Sequence, residues 1–134
     1  MIGLLLLAGG LPAAQTTPAA ARAVVQRYYA AIERGRYRTA YQLWNGASGK
    51  RCAAFASGFA RTAHTRVVAG TPTDGEGAAG SVFVTVPVTV TATLRNGTRQ
   101  RFRGSYVLRR VNGVDGATTA QLRWHIASAR LRAV

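Results

Sequence analysis

The sequence predicts an α+β domain in which N-terminal helices pack on a strongly bent antiparallel sheet. Valine recurs at 82, 84, 86, 88 and 90, and alternation of period two is the mark of a half-buried strand. The run leads into Asn96-Gly97, the pair that most cheaply supplies the two positive φ angles of a type I′ hairpin turn. Helical patterns come before these strands, and that order reads as helices gathered on one face of an antiparallel sheet.

The elements follow in order. Thr17 caps a helix with Pro18 at its first position and Gly35 at its end, and Val24, Val25, Tyr28, Tyr29 and Ile32 form its apolar stripe. A shorter helix over 36–44 carries Tyr37, Ala40, Tyr41, Leu43 and Trp44 and stops at Asn45-Gly46. A third follows Ser48 as a cap and runs through Phe55 to about Phe59. A first strand covers 65–69. Residues 71–80, rich in Gly, Pro and Thr, read as a loop. The hairpin's second arm covers 98–111, a glycine-rich turn 112–119, and a closing strand 120–131. That strand sets Trp124, Ile126 and Ser128 on one face and Arg123, His125 and Ala127 on the other.

Counting back from a two-residue turn pairs Leu94 with Arg99, Ala92 with Arg101, Val90 with Arg103 and Val86 with Val107. The arginines then share the valine face near the hairpin tip. Pro87 lacks the ladder donor, so its position must be an edge, a bulge or a bend, and a bulge would shift the register by one.

A chain of 134 residues forms one domain, 18–134, with a core that needs no metal or disulfide. Cys52 stands alone in an apolar helical pattern and reads as a small buried hydrophobe. Ile2 to Leu11 is apolar but about half the length of a membrane helix. It resembles the hydrophobic region of a secretory signal, making 1–17 a signal peptide and disordered N-terminus, although no Lys or Arg precedes it. The expectation is a periplasmic or secreted protein whose mature chain has no transmembrane segment. A cytoplasmic one follows if the run is not a signal.

Basic residues number 18 against four acids, for a net charge of +14, and all but Lys50 are arginine. Two readings stand. The guanidinium fork suits phosphate or carboxylate partners, and a GC-rich genome would also enrich Arg, Ala and Gly.

Little else bears chemistry. Asp74 and Glu76 lie in the loop, Asp115 in a turn and Glu33 at a helix end, so no carboxylate is placed to line a pocket. Gly46-Ala-Ser-Gly-Lys50 is too short for a phosphate loop, no strand precedes it, and Arg51 replaces the metal-binding hydroxyl. No Cys or His spacing suits a metal, and no cofactor is implied. His64 and His125 remain as bases, and a lone histidine is more often solvent-facing or a satisfied core residue.

The 25–44 pattern (Val-Gln-Arg-Tyr-Tyr-Ala-Ala-Ile-Glu-Arg-Gly-Arg-Tyr-Arg-Thr-Ala-Tyr-Gln-Leu-Trp), the Gly-Ser-Tyr-Val-Leu run at 104–108 and Trp124-x-Ile126 resemble the nuclear transport factor 2-like superfamily, including its SnoaL-like and ketosteroid isomerase-like members. The resemblance implies a cone-shaped α+β barrel, a pocket between helices and sheet, and a possible homodimer through the sheet's other face. Three functions follow. The first is a non-catalytic exported domain binding a small apolar ligand or a partner protein through Tyr28, Trp44, Phe59, Tyr106, Trp124 and His125. The second is an anion-binding module using Arg99, Arg101 and Arg103, with Arg95, Arg109 and Arg123 beyond them. Its target is an anionic envelope component rather than nucleic acid, because no aromatics for base stacking interleave with the arginines. The third is an isomerase or dehydratase-like enzyme using His125 as base and Tyr28 or Tyr106 as donor.

Overall fold

The computed structural model describes residues 11–47 and 51–134. The chain is an α+β domain with helices before a curved antiparallel sheet. A 3₁₀ turn over Ala13–Gln15 leads into α1 (Pro18–Glu33), where the Thr17 side chain accepts the N–H of Ala20 and Gly35 takes a φ of 71° just past the end. Both caps stand where the sequence placed them. The apolar run from Ile2, Leu11 excepted, and Ser48 lie outside the described residues.

Two short helices follow, α2 (Tyr37–Tyr41) and α3 (Cys52–Ser57). The second helix ends three residues before the predicted stop because Trp44 leaves it to form a parallel bridge with Ile126. Leu43 accepts the N–H of Ile126 at 2.7 Å and Asn45 donates to the Ile126 carbonyl at 2.7 Å. Gly58 caps α3 instead of lying inside it. Cys52 is half-buried at the start of that helix.

The strands are β1 (Thr62–Ala69), β2 (Glu76–Ala78), β3 (Ser81–Leu94), β4 (Arg99–Val111) and β5 (His125–Ala133). They pair in the order β1-β3-β4-β5, with β2 also on β3. β1 starts three residues earlier than predicted, and β2 forms within the segment read as a loop. The two share one flank of β3, β1 against 88–94 and β2 against 81–83. Between them Gly70 donates to the Pro87 carbonyl and Thr73 to that of Thr85. Pro87, without an N–H, sits where one neighbouring strand has ended and the next has not begun. It is an edge with no bulge, since Pro87 faces Ser105 in an unbroken β3–β4 ladder.

The hairpin turn corrects the predicted pairing. Leu94 donates to the Thr98 carbonyl and Gly97 to that of Leu94, with φ of 90° at Gly97 alone. This is a three-residue loop with glycine in the left-handed position, held further by Thr98 N–H on the Asn96 side chain. The two-residue turn with paired positive φ occurs instead at Ala79 (47°) and Gly80 (85°), joining β2 to β3. The extra loop residue moves β4 by one, so Thr93 faces Arg99, Thr91 faces Arg101 and Thr89 faces Arg103. Val86 meets Tyr106 and Val84 meets Leu108. The arginines therefore leave the valine face altogether.

The closing strand is also shorter than predicted. Residues 119–122 form α4 (Thr119–Leu122), started by a capping box in which Thr118 and Gln121 satisfy each other's backbone. An extra residue opposite Val107/Leu108 then sets Ile126 against Leu108 and Ser128 against Val107. Ser128 thus lies on the opposite face from Ile126, unlike the simple alternation predicted.

The core joins Ala21, Val24, Val25, Tyr28, Tyr29 and Ile32 of α1 to Val84, Val86, Val88 and Val90 of β3, with Tyr106, Leu108, Trp124 and Ile126. Each fully buried valine or leucine among them stabilises the fold by ~1.5–3 kcal/mol. Gly104 is the tight point, since a Cβ there would lie 1.7 Å from the Arg130 carbonyl oxygen on the neighbouring strand. Gly104→Ala is expected to cost more than ~3 kcal/mol or to abolish folding. Thr17→Ala, which removes only a cap, should cost about 1 kcal/mol. Urea denaturation of both variants checks the ordering.

Candidate functional site

Three groups of side chains were singled out by sequence, and the structure places each differently. Tyr28, Trp44 and Tyr106 come together at the centre of the domain. The Tyr28 ring lies 5.9 Å from Tyr106, 6.2 Å from Trp44 and 5.1 Å from Tyr29. Phe59 packs apart from this trio, stacked on Tyr37 at 5.7 Å. Tyr28 and Tyr106 are 4% and 3% exposed, so these rings pack on one another as core between α1 and the sheet.

Two phenols in that core satisfy each other, because the Tyr29 and Tyr106 hydroxyls share a hydrogen bond. Burial raises both pKa values, and for Tyr106 the neighbouring tyrosines add to it. Tyr28 is pushed up to about 12 by burial, against a smaller opposing effect of Trp44. Phenols held neutral this way can donate a hydrogen bond but make poor bases. Ser81 is the buried polar residue of the described chain, and no carboxylate accompanies the tyrosines. Asp74, Glu76 and Asp115 are exposed. Glu33 accepts from the Thr65 N–H at 2.9 Å and contacts His64 Nδ1 at 3.1 Å. Those contacts, the backbone bond foremost, hold its carboxyl below the usual range.

His125 does not point into the core. It pairs with Arg109 across the β4–β5 ladder, one residue out of phase with the buried Leu108–Ile126 pair. Its Nδ1 donates to the Arg123 carbonyl at 3.1 Å, which fixes the tautomer. Trp124 is 4% exposed, beneath the guanidinium of Arg110 at 5.4 Å from the ring centroid. Arg109 is anchored by Ser81 Oγ at 3.0 Å and Asn45 Oδ1 at 3.5 Å. Arg95 is tied to the Ala60 carbonyl at 2.9 Å.

The arginines of the hairpin share one face of the sheet. Arg99, Arg101 and Arg103 alternate along the face of β4 turned away from the helices. β5 adds two more to that face, since Arg132 lies directly opposite Arg103 and Arg130 opposite Ser105. Arg66 of β1 stands across Thr91 from Arg101. Same-face neighbours along a strand are about 6.7 Å apart and adjacent strands about 4.8 Å. Glu33 reaches this array only at its β1 margin, where it feels Arg66. Arg99, Arg101, Arg103, Arg130 and Arg132 are exposed and make no ion pair among the described residues. A hollow of about 480 Å³ is lined by Arg103, Arg130 and Arg132 together with Gly104 and Ser105. Sequence reasoning found the β4 arginines but missed Arg66, Arg130 and Arg132. The period-two spacing of Arg130 and Arg132 was the available signal, and which strand lay beside β4 was the missing fact.

No family model matches the chain, and no curated protein matches it in sequence. Two crystal structures are similar in fold. A protein from Kribbella flavida, Kfla4162, superposes with a TM-score of 0.63 at 14% identity, covering 90% of this chain and 92% of its own. A conserved protein from Planctomyces limnophilus gives 0.59 at 14% identity, covering 84% and 94%. Likeness at that identity concerns the fold alone.

The neutral tyrosines set a pH dependence. A phenol that ionises near 10 when unfolded and higher when folded favours the unfolded chain once pH exceeds 10. Stability should be constant below pH 10 on this account and fall between pH 10 and about 12, the interval between the unfolded and folded pKa values of Tyr28. Tyr28→Phe is expected to flatten that fall in thermal melts followed by circular dichroism. Tyr106→Phe should cost ~1–3 kcal/mol by leaving the Tyr29 hydroxyl unpartnered, and adding Tyr29→Phe should recover part of it.

Proposed function

We propose that this chain is a non-catalytic anion-binding domain of nuclear transport factor 2-like architecture, whose outer sheet face takes a linear phosphate-bearing polymer. The observation that carries the reading is the set of five exposed, unpaired arginines on adjacent strands. Like charges directly opposite one another on a sheet destabilise it, and Arg103 faces Arg132 with nothing between them to neutralise either. A polyanion lying across the strands supplies the missing charge to all five. Guanidinium forks match phosphate oxygens two at a time, giving each contact direction as well as charge.

The order of helices and strands supports the superfamily assignment, and an exported chain would meet phosphate polymers of the envelope. Nucleic acid is the weaker partner, because the cross-strand partners of Arg103, Arg101 and Arg99 are Thr89, Thr91 and Thr93, which offer no aromatic platform for bases. A homodimer through this same face would set arginine against arginine, so it would need the anion between the copies. The small-ligand reading built on Tyr28 and Tyr106 has less support, since those rings are packed against one another.

Long-chain inorganic polyphosphate is the probe. Engaging five phosphates gives a salt slope of about −3.5 by analogy with single strands, so raising salt fourfold from 50 mM should weaken binding about a hundredfold. Arg103→Gln with Arg132→Gln should weaken it at least tenfold and leave the unfolding midpoint unchanged or higher. Binding insensitive to salt, or equal in the double variant, overturns the reading.

A further inference from the structure

We infer that a second site, a cleft between α1 and the start of β5, binds a small amphipathic carboxylic acid. The cleft holds about 710 Å³, within the range of small-molecule sites. None of Arg99, Arg101, Arg103, Arg130 and Arg132 lines it. Its floor is apolar. Ala20 and Val24 are one turn apart on α1, and Leu43 and Trp124 face the same space. Leu43 is held there by its carbonyl bond to Ile126 N–H, so that wall is part of the sheet's hydrogen-bonded frame.

The rim is basic. Arg27 follows Val24 by three residues and therefore stands at one end of the apolar stripe. Arg123 reaches the cleft from the segment before β5. Neither guanidinium has an ion pair or side-chain hydrogen bond among the described residues. His125 shares the rim, and the Nδ1 bond to the Arg123 carbonyl leaves its other nitrogen unengaged. The indole N–H of Trp124, in the wall, is buried without a partner, a donor whose isolation costs free energy until an acceptor reaches it.

These parts select a ligand by chemistry. An apolar floor rewards a hydrocarbon or aryl body at about 25 cal/mol per Å² buried. Unpaired guanidinium groups on the rim reward a planar carboxylate, which a guanidinium can grip through two parallel bonds. A polymer fits this place poorly, because the turn carrying Ala14 and Gln15 walls one side. A purely apolar molecule would leave the basic rim unanswered.

Decanoate is the probe, with decanol as its neutral counterpart, measured on the full chain by calorimetry and by tryptophan fluorescence. Trp44→Phe leaves Trp124 as the reporter. Decanoate is expected to bind saturably and at least tenfold more tightly than decanol, with a change in Trp124 emission. Arg27→Gln with Arg123→Gln, both at exposed positions, should remove that preference while polyphosphate binding stays as it was. Conversely, Arg103→Gln with Arg132→Gln should spare decanoate. Decanol binding as tightly as decanoate, an unchanged preference in the Arg27/Arg123 variant, or no saturable binding overturns the inference, whatever becomes of the polyphosphate result.

Discussion

One residue in a turn decides which side of the sheet carries charge. The loop between β3 and β4 closes with Leu94 on Thr98, so strand partners sum to an even number and Thr93 meets Arg99. Side chains alternate faces with period two, and a loop one residue shorter would invert the whole of β4 relative to β3. Arg103 would then lie beside Val90, which is 4% exposed beneath the helices. Burying an unpaired guanidinium there costs several kcal/mol, whereas the observed register brings Phe102 to Val90 and Tyr106 to Val86. Turn geometry and burial thus select the same pairing, and both the tyrosine core and the arginine face follow from it.

That selection separates two kinds of chemistry. The helix-facing side collects rings that exclude water, and exclusion keeps the phenols protonated. A neutral Tyr29–Tyr106 pair then serves as mutual satisfaction of two buried hydroxyls, sparing each the cost of an unpartnered polar atom in the core. The opposite side keeps its charges in water, where screening over about 8–10 Å limits their mutual repulsion. Opposed arginines are therefore tolerable in the free domain, and the same screening makes whatever they hold sensitive to salt.

Much of this was legible in the chain. Thr17, Pro18 and Gly35 marked α1 because cap chemistry is local, and the valines of β3 marked a buried strand because their period is local too. Most of the misreadings needed information from elsewhere in the fold. Asn96-Gly97 favours a two-residue turn in isolation, but the longer loop wins because it alone places the valines against Tyr106 and Leu108. Trp44 belongs to a helical pattern until Ile126 offers it a backbone partner. Thr118 and Gln121 were a capping box in plain view, hidden by the pull of the strand that follows. Of the arginine face, only the β4 part could be named, since adjacency of β5 to β4 is a property of topology. Alternation set His125 opposite Ile126, as the ladder has it, but misplaced Ser128, because the extra residue after Ile126 breaks the period.

Composition and placement must be kept apart when the arginines are explained. A bias in base composition can set their number, and Arg22, Arg34, Arg36 and Arg38 around the helices show that they occur where no site is evident. It does not account for the arrangement on the sheet. There the cation positions answer one another across strands, Arg101 through Thr91 to Arg66 and Arg103 directly to Arg132, while the nearest acid is confined to the β1 margin by its bonds to Thr65 and His64. Threonine or glutamine at 103 or 132 would suit an exposed strand and relieve the repulsion. Gly104 sharpens the point, because its missing side chain is what lets the β5 backbone come so close to β4. The close approach at Gly104 adjoins the Arg103–Arg132 pair, so two unpaired guanidinium groups are held opposite one another by backbone that has no room to shift, and an anionic partner is the simplest relief of their repulsion.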